Sequence, residues 1–250
     1  MKNSKPIVTT AVVFAGGVGK RMHTKDLPKQ FLRIHGKPII AWTLSVFEKA
    51  PSVDYIVVVC NSEWLGYCQG IVDEFSLDKV RAVVAGGETG QLSIHNGLLA
   101  ASELSDPERT VVLIHDGVRP LINVDTIERN VTSVVECGSS ITCVKAKETI
   151  LVKTYSGVEI VPRENVLLAR APQGFWLSDI LSAHERALAA GETCCIDSAT
   201  MMKEQGNDLH LIVGPDENIK ITTQDDYYSM RSILDSRENN QLYTEGEDAE

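Results

Sequence analysis

Apolar residues gather in short runs separated by glycine-rich or polar breaks. Residues 10–15 (TAVVFA) predict a buried strand that enters a glycine-rich turn. A helix follows over 39–49, with Pro38 at its start, where a missing N–H costs nothing. YIVVVC (55–60) predicts a second strand and residues 63–75 a helix. VRAVVA (80–85) is a third strand, ending at Gly86-Gly87. The next helix spans 91–104, with Ile94, Leu98 and Leu99 on its apolar side. TVVLIH (110–115) is a fourth strand, ending at Asp116-Gly117. Short β-branched runs alternating with helices imply βαβ units and a parallel sheet. Continuous apolar strands fit a sheet covered on both faces.

The pattern then changes. Residues 124–137 predict a helix, and 141–145, 150–154 and 158–161 short strands with a turn at Ser156-Gly157. We read these strands as an arm on the main sheet, about 138–162. Ser178 is expected to cap a helix over 179–190 that stops at Gly191. LHLIVG (209–214) predicts a late strand and 225–235 a final helix. No internal repeat is visible. The chain reads as one domain over 1–235, followed by an acidic tail (236–250) expected to be disordered.

Charge narrows the function. The 250-residue chain carries a net −10. The segment from Asp235 to Glu250 holds −5 of this and the body the rest. An acidic body argues against a general nucleic-acid binder, which needs a broad basic surface. A small basic pocket for a phosphorylated ligand remains compatible. No apolar run approaches the ~20 residues that span a bilayer, so no membrane partner is expected. The N-terminal segment lacks a secretory pattern. The cysteines, Cys60, Cys68, Cys137, Cys143, Cys194 and Cys195, form no CxxC pair. They read as reduced thiols of a cytoplasmic protein rather than a zinc site.

Four segments carry candidate chemistry. Ala15-Gly16-Gly17-Val18-Gly19-Lys20-Arg21 follows a strand directly, where glycines let backbone N–H groups approach phosphate. It is not a P-loop: Phe14 occupies the first glycine position and Arg21 the Ser/Thr position. It is a poor dinucleotide fingerprint too, because Met22 replaces the last glycine. Lys29, in Leu27-Pro28-Lys29-Gln30-Phe31, adds a second fixed cation to Arg21. Phosphoryl and nucleotidyl transfer need cations where negative charge accumulates. Gly86-Gly87-Glu88-Thr89-Gly90-Gln91-Leu92-Ser93 joins a strand to a helix N-terminus, which favours anions. His115-Asp116-Gly117-Val118-Arg119-Pro120 places an acid at a strand's carboxyl end, where open α/β sheets bind ligands. Asp116 is a candidate for Mg²⁺ or a substrate hydroxyl, and Arg119 for pairing with it or with an anion. His115 reads as a packed residue rather than a base.

AGGVGKRM, LPKQF, the GG…S segment, HDGVRP, APQGF (171–175), which reads as a turn, and ENIKIT occur in one order across about residues 8–235. In this the chain resembles the cytidylyltransferases of sugar-alcohol phosphates. The resemblance implies a single nucleotidyltransferase domain with a Rossmann-like three-layer α/β/α sandwich and a mixed, mostly parallel sheet. It also implies CTP, Mg²⁺ and a homodimer formed through a protruding β-arm. Arg21 and Lys29 match the cations that stabilise the transition state at the α-phosphate. Arg163 and Lys220 match residues that hold the acceptor's phosphate. Ala15, Gly16, Gly17 and Gly19 match the turn around CTP. Gly87 and Ser93 match cytosine or ribose contacts, and Gly117 a backbone contact. Asp116 matches an acid near metal and substrate, and Asp197 an acceptor contact. Thr149 matches an arm residue that reaches the neighbouring subunit's site.

Three details, Leu27 before Pro-Lys-Gln, the HDGVRP form and the KITT ending at Lys220–Thr223, are similar to the branch acting on ribitol 5-phosphate, which serves teichoic acid or capsule synthesis. The alternative branch acts on 2-C-methyl-D-erythritol 4-phosphate in isoprenoid synthesis. Ile196, Gly90 and Ala171 depart from the usual pattern and weaken the acceptor or nucleotide contacts expected there. Competing readings are a UTP- or GTP-dependent sugar-phosphate nucleotidyltransferase and a non-enzymatic nucleotide-binding regulatory domain.

Overall fold

A computed structural model describes residues 6–16 and 27–238. Its centre is a seven-stranded sheet in the order β11-β7-β10-β6-β1-β4-β5. These strands are β1 (Val8–Ala15), β4 (Tyr55–Cys60), β5 (Val80–Ala85), β6 (Thr110–Asp116), β7 (Ser139–Lys145), β10 (Leu167–Trp176) and β11 (Leu211–Val213). All neighbours are parallel except those of β10, which runs antiparallel to both β6 and β7. Small hairpins complete the strands: β2 (Arg33–Ile34) with β3 (Lys37–Pro38), and β8 (Ile150–Thr154) with β9 (Gly157–Val161).

The expected three layers are present, because each core strand sends alternate side chains to opposite faces. On one face Ala11, Val13, Val58 and Leu113 meet α1 (Ile39–Lys49), α2 (Leu65–Glu74) and α4 (Val124–Cys137). On the other, Val12, Val59, Val112 and Ile114 meet α3 (Gly90–Leu104), α5 (Leu177–Ala189) and α6 (Ser198–Glu204). Gly97 lets α3 lie close to the sheet: a Cβ there would stand 2.5 Å from Val12 Cγ1 and 2.7 Å from Val59 Cγ2. A smaller cluster around Ile34, Ile39, Val118 and Ile221 seats α7 (Gln224–Glu238) through Met230 and Leu234.

Four expectations need correction. The run at 141–145 is not part of the arm: β7 begins at Ser139, is buried and lies between β10 and β11. The arm is therefore β8–β9 with its flanking segments. APQGF, expected as a turn, lies within β10. Pro172 follows a cis peptide and sits where the β10–β7 register shifts between Ala169 and Gln173. A bulge is the place in a sheet that tolerates proline. Ser178 does not cap α5, which begins at Leu177 with Trp176 as N-cap and no side-chain cap. Gly191, at φ +78°, does close it. The last helix reaches Glu238, with His35 bonded to Asp235 at 2.7 Å and to Glu238 at 3.1 Å, so 236–238 belong to the folded domain. The rest of the tail lies outside the described residues.

Candidate active site

β1 and β6 are adjacent and parallel, yet the chain leaves them in opposite directions across the sheet. Ligands of open α/β sheets bind in the crevice beyond the carboxyl ends of such strands. Here those ends carry Ala15-Gly16 and Asp116-Gly117. Gly117 N–H donates to Phe14 O at 2.9 Å. A Cβ at Gly117 would stand 3.0 Å from Ala15 Cβ and 3.3 Å from Phe14 O, so glycine permits this close approach.

Two cavities open there. The first, of about 360 Å³, is bounded by Gly16, Lys29, Gly87, Thr89 and Ser93. The Ser93 hydroxyl donates to Thr89 O at 2.8 Å and accepts from Gly87 N–H at 3.1 Å, fixing the glycine turn against α3. Thr89 caps that helix by accepting from Leu92 N–H at 3.2 Å. Lys29 is only 9% exposed, and its ammonium donates to Ile221 O at 2.7 Å. Gln30 donates to Ala15 O at 2.7 Å and so ties the Lys29 segment to the end of β1.

The second cavity, of about 340 Å³, is bounded by Arg119, Arg170, Gln173, His184, Ile196 and Asp197. Both cavities also touch Phe14, Gly90, Asp116 and Lys220. At this shared edge Asp116, 6% exposed, accepts from Lys220 Nζ at 2.6 Å and from Arg119 Nε at 2.7 Å. Burial alone would raise the Asp116 carboxyl. The Lys220 and Arg119 charges and their hydrogen bonds outweigh it and hold the group below the usual carboxylate range. Asp116 is therefore ionised at neutral pH. Arg119 also donates to Asn218 O at 2.9 Å, and Ile221 N–H to Val118 O at 2.9 Å, so the segment bearing Lys220 is pinned from both sides. His115 is packed as expected, 5.0 Å from the Phe47 ring, with burial pushing it down to about 4.

Among the residues singled out by sequence, Ala15, Gly16, Lys29, Gly87, Ser93, Asp116 and Lys220 line the first cavity, with Gly117 beside it. Asp197 lines the second, where it also caps α6: it accepts from Thr200 N–H at 2.8 Å and from Gln173 Nε2 at 2.9 Å. Gly90 touches both cavities and Ala171 the second; the exposed Ile196 is also on that wall. Thr149 and Arg163 are exposed at the arm and line neither cavity. Arg21, Gly17 and Gly19 lie outside the described residues. Sequence reasoning missed Arg170, which immediately precedes the turn expected at 171–175. It also missed Gln91, which donates to Glu192 O at 2.7 Å and accepts from Cys195 N–H at 2.9 Å.

A glycine-bounded cavity that meets a second one across a buried carboxylate–cation cluster, at this point of the sheet, is an arrangement suited to an α/β nucleotidyltransferase. The chain belongs to the 2-C-methyl-D-erythritol 4-phosphate cytidylyltransferase (IspD) family, whose pattern it matches over residues 9–236. It is thus a cytidylyltransferase, a CTP-dependent enzyme. Over 239 residues it is 52% identical to the ribitol-5-phosphate cytidylyltransferase of Streptococcus agalactiae serotype V, covering 95% of this chain and 99% of that protein. It is 43% identical to the 2-C-methyl-D-erythritol 4-phosphate cytidylyltransferase of Geotalea uraniireducens over 231 residues, 91% of this chain and 97% of the relative. The crystal structure of 4-diphosphocytidyl-2C-methyl-D-erythritol synthase from Anaerococcus prevotii superposes with a TM-score of 0.79 at 25% identity, covering 92% and 96% of the two chains.

Proposed function

We propose that this enzyme transfers CMP from CTP to D-ribitol 5-phosphate, giving CDP-ribitol and pyrophosphate. The observation that carries the reading is the shared edge: Asp116 and Lys220 face both cavities, so groups bound in each meet there. The acceptor assignment is supported by the higher identity to the ribitol-5-phosphate enzyme, 52% against 43%.

The glycine-lined cavity takes CTP, with Ala15, Gly16 and Gly117 offering close backbone approach and Gly87 and Ser93 the base or ribose side. The second cavity takes the acceptor, with Asp197 on its wall. An oxygen of the acceptor's phosphate attacks the α-phosphorus of CTP in line. A P–O bond forms, the bond to the β-phosphate oxygen breaks, and pyrophosphate leaves with the electron pair. A phosphate monoester is anionic near neutral pH, so the step needs no strong base. The chain's contribution is positioning and charge neutralisation by Lys29 and Arg21. Lys220 holds the incoming phosphate.

Mg²⁺ fits this reading. It is commonly held by one or two carboxylates and by substrate phosphates. Among the described residues no cluster of three or more acidic, histidine or cysteine ligands exists, but the ionised Asp116 supplies one hard oxygen at the shared edge. Bound there, the ion would neutralise triphosphate charge. A homodimer also fits: the arm exposes Leu151, Val158 and Ile160 by 62%, 68% and 67%, an apolar face suited to a second copy. Thr149 and Arg163, which line neither of their own chain's cavities, would then serve the partner's site. No helix among the described residues is long and apolar enough to cross a membrane. The reading makes it a cytoplasmic enzyme of teichoic acid or capsule synthesis.

The test is a pyrophosphate-release assay with CTP, UTP, GTP and ATP against ribitol 5-phosphate and methylerythritol 4-phosphate. The reading expects turnover with CTP and ribitol 5-phosphate. Preference for methylerythritol 4-phosphate overturns the acceptor, and preference for another nucleotide overturns the donor.

A further inference from the structure

Arg170 lies in the bulged stretch of β10, between the paired residues Ala169 and Gln173. Bulges re-aim side chains, and this one brings Arg170 to the wall of the second cavity. Its Nη1 donates to Asp216 O at 2.7 Å and to Pro215 O at 3.4 Å, so the guanidinium is held in place. Among the described residues it has no carboxylate within ion-pair distance. The Asp216 carboxylate is taken by Lys147 at 2.8 Å, and Asp116 is shared by Arg119 and Lys220. Burial pushes the Arg170 guanidinium down from its usual value, and so does the neighbouring charge of Arg119, against a smaller opposing pull from Asp216. Two guanidiniums thus line one cavity, and one of them is half-buried with only backbone carbonyls as hydrogen-bond partners among the described residues. Both bonds use Nη1, which leaves the other guanidinium N–H groups for an anion in the cavity. The planar fork of arginine suits a phosphate, which it can grip at two oxygens.

We propose that Arg170 is a binding residue that grips the acceptor's phosphate, together with Arg119 and Lys220, from within the same chain. The inference rests on the reading of the second cavity as the acceptor site. It assigns the cavity's phosphate-binding end to residues of the turn after β6, of β10 and of the 215–221 segment. It also gives a reason for β10 to keep a bulge in mid-sheet: a regular strand would alternate through 169–173 and lose this placement.

The test compares wild type with Arg170→Met and Arg170→Lys. With the nucleotide cavity filled by the non-cleavable α,β-methylene analogue of CTP, inorganic phosphate is titrated calorimetrically. In parallel, KM for ribitol 5-phosphate and for CTP and the melting temperature are measured. The proposal expects phosphate affinity and acceptor KM each to worsen by about tenfold or more in Arg170→Met, as for loss of a charge-assisted contact. CTP KM should stay within about threefold, and Arg170→Lys should recover part of the loss. Phosphate binding in Arg170→Met equal to wild type, or absent from both, overturns it. So does a rise of both KM values together with a lower melting temperature, which would mark Arg170 as a structural clasp on residues 215–216. If wild type turns over no polyol phosphate, the acceptor reading fails, whereas the phosphate titration still decides whether Arg170 serves an anion site.

Discussion

Lys220→Met is the most informative single change. It keeps the length and apolar stem of the side chain but removes the ammonium 2.6 Å from Asp116 Oδ1. Asp116 keeps its bond to Arg119 at 2.7 Å. Removing one partner of a fully buried pair costs about 3–5 kcal/mol, and an exposed pair contributes under about 1. This pair is intermediate: the Asp116 side chain is 8% exposed and that of Lys220 43%. A loss of about 1–2 kcal/mol follows, which lowers the melting temperature of a domain this size by about 2–8 °C. The kinetic effect should fall on the acceptor. KM for ribitol 5-phosphate should rise about 10–100-fold, with CTP KM changing by less than about fivefold. Asp116 also loses the nearest charge that holds it ionised, so activity should fall at a higher pH on the acid side than in wild type. The reasoning is wrong if acceptor KM is unchanged in Lys220→Met, or if the acid limb of the pH profile stays where it is in wild type.

Lys29→Met should lower kcat by about 10²–10³, as for loss of one preorganised group that stabilises transition-state charge, while CTP KM changes little. Turnover within about tenfold of wild type would remove Lys29 from the chemistry. His184 is 1% exposed, stacked 5.4 Å from His95, and pushed by burial from 6.5 down to about 4. Between those pH values the unfolded chain binds the proton and the folded one does not, so stability falls as pH drops through that window, by about 3 kcal/mol at most for this residue. His184→Phe should flatten the melting-temperature profile between pH 7 and 4.5, leaving the part due to His115; an unchanged slope would contradict the assignment. Gly97→Ala should lower the melting temperature by about 2–8 °C, because forcing a Cβ against Val12 and Val59 outweighs the ~1 kcal/mol gain in helix propensity. A melting temperature at or above wild type would show that α3 moves away from the sheet freely.

The main-sheet strands and the α-helices up to Cys137 were legible because each is a continuous apolar run or an amphipathic period, whereas the two-residue strands β2 and β3 are too short to show a pattern. β10 was not, since Pro172 and Gly174 are strong turn formers, and only the long-range pairing with β6 and β7 makes a strand of them. β7 was assigned to the arm for a related reason: sequence shows that it is a strand but not which strands flank it. α6 has seven residues, too few for a period to show, although Asp197 and Thr200 form a recognisable cap. In the site, Asp116 was found by its position at the end of an apolar strand, and Lys29 by its motif. That Asp116 would be held by both Arg119 and Lys220 depended on folding the 215–221 segment back over β6. Arg170 escaped notice because its surroundings were read as a turn.

The central claim is that the acceptor's phosphate attacks the α-phosphorus of CTP where the two cavities meet. Ribitol 5-phosphate carrying ¹⁸O in its phosphate, incubated with CTP and Mg²⁺ and followed by ³¹P NMR, tests it directly. The account predicts label in the oxygen bridging the two phosphorus atoms of CDP-ribitol, and unlabelled pyrophosphate. Label appearing in the released pyrophosphate, or product formed without a labelled bridge, would contradict it.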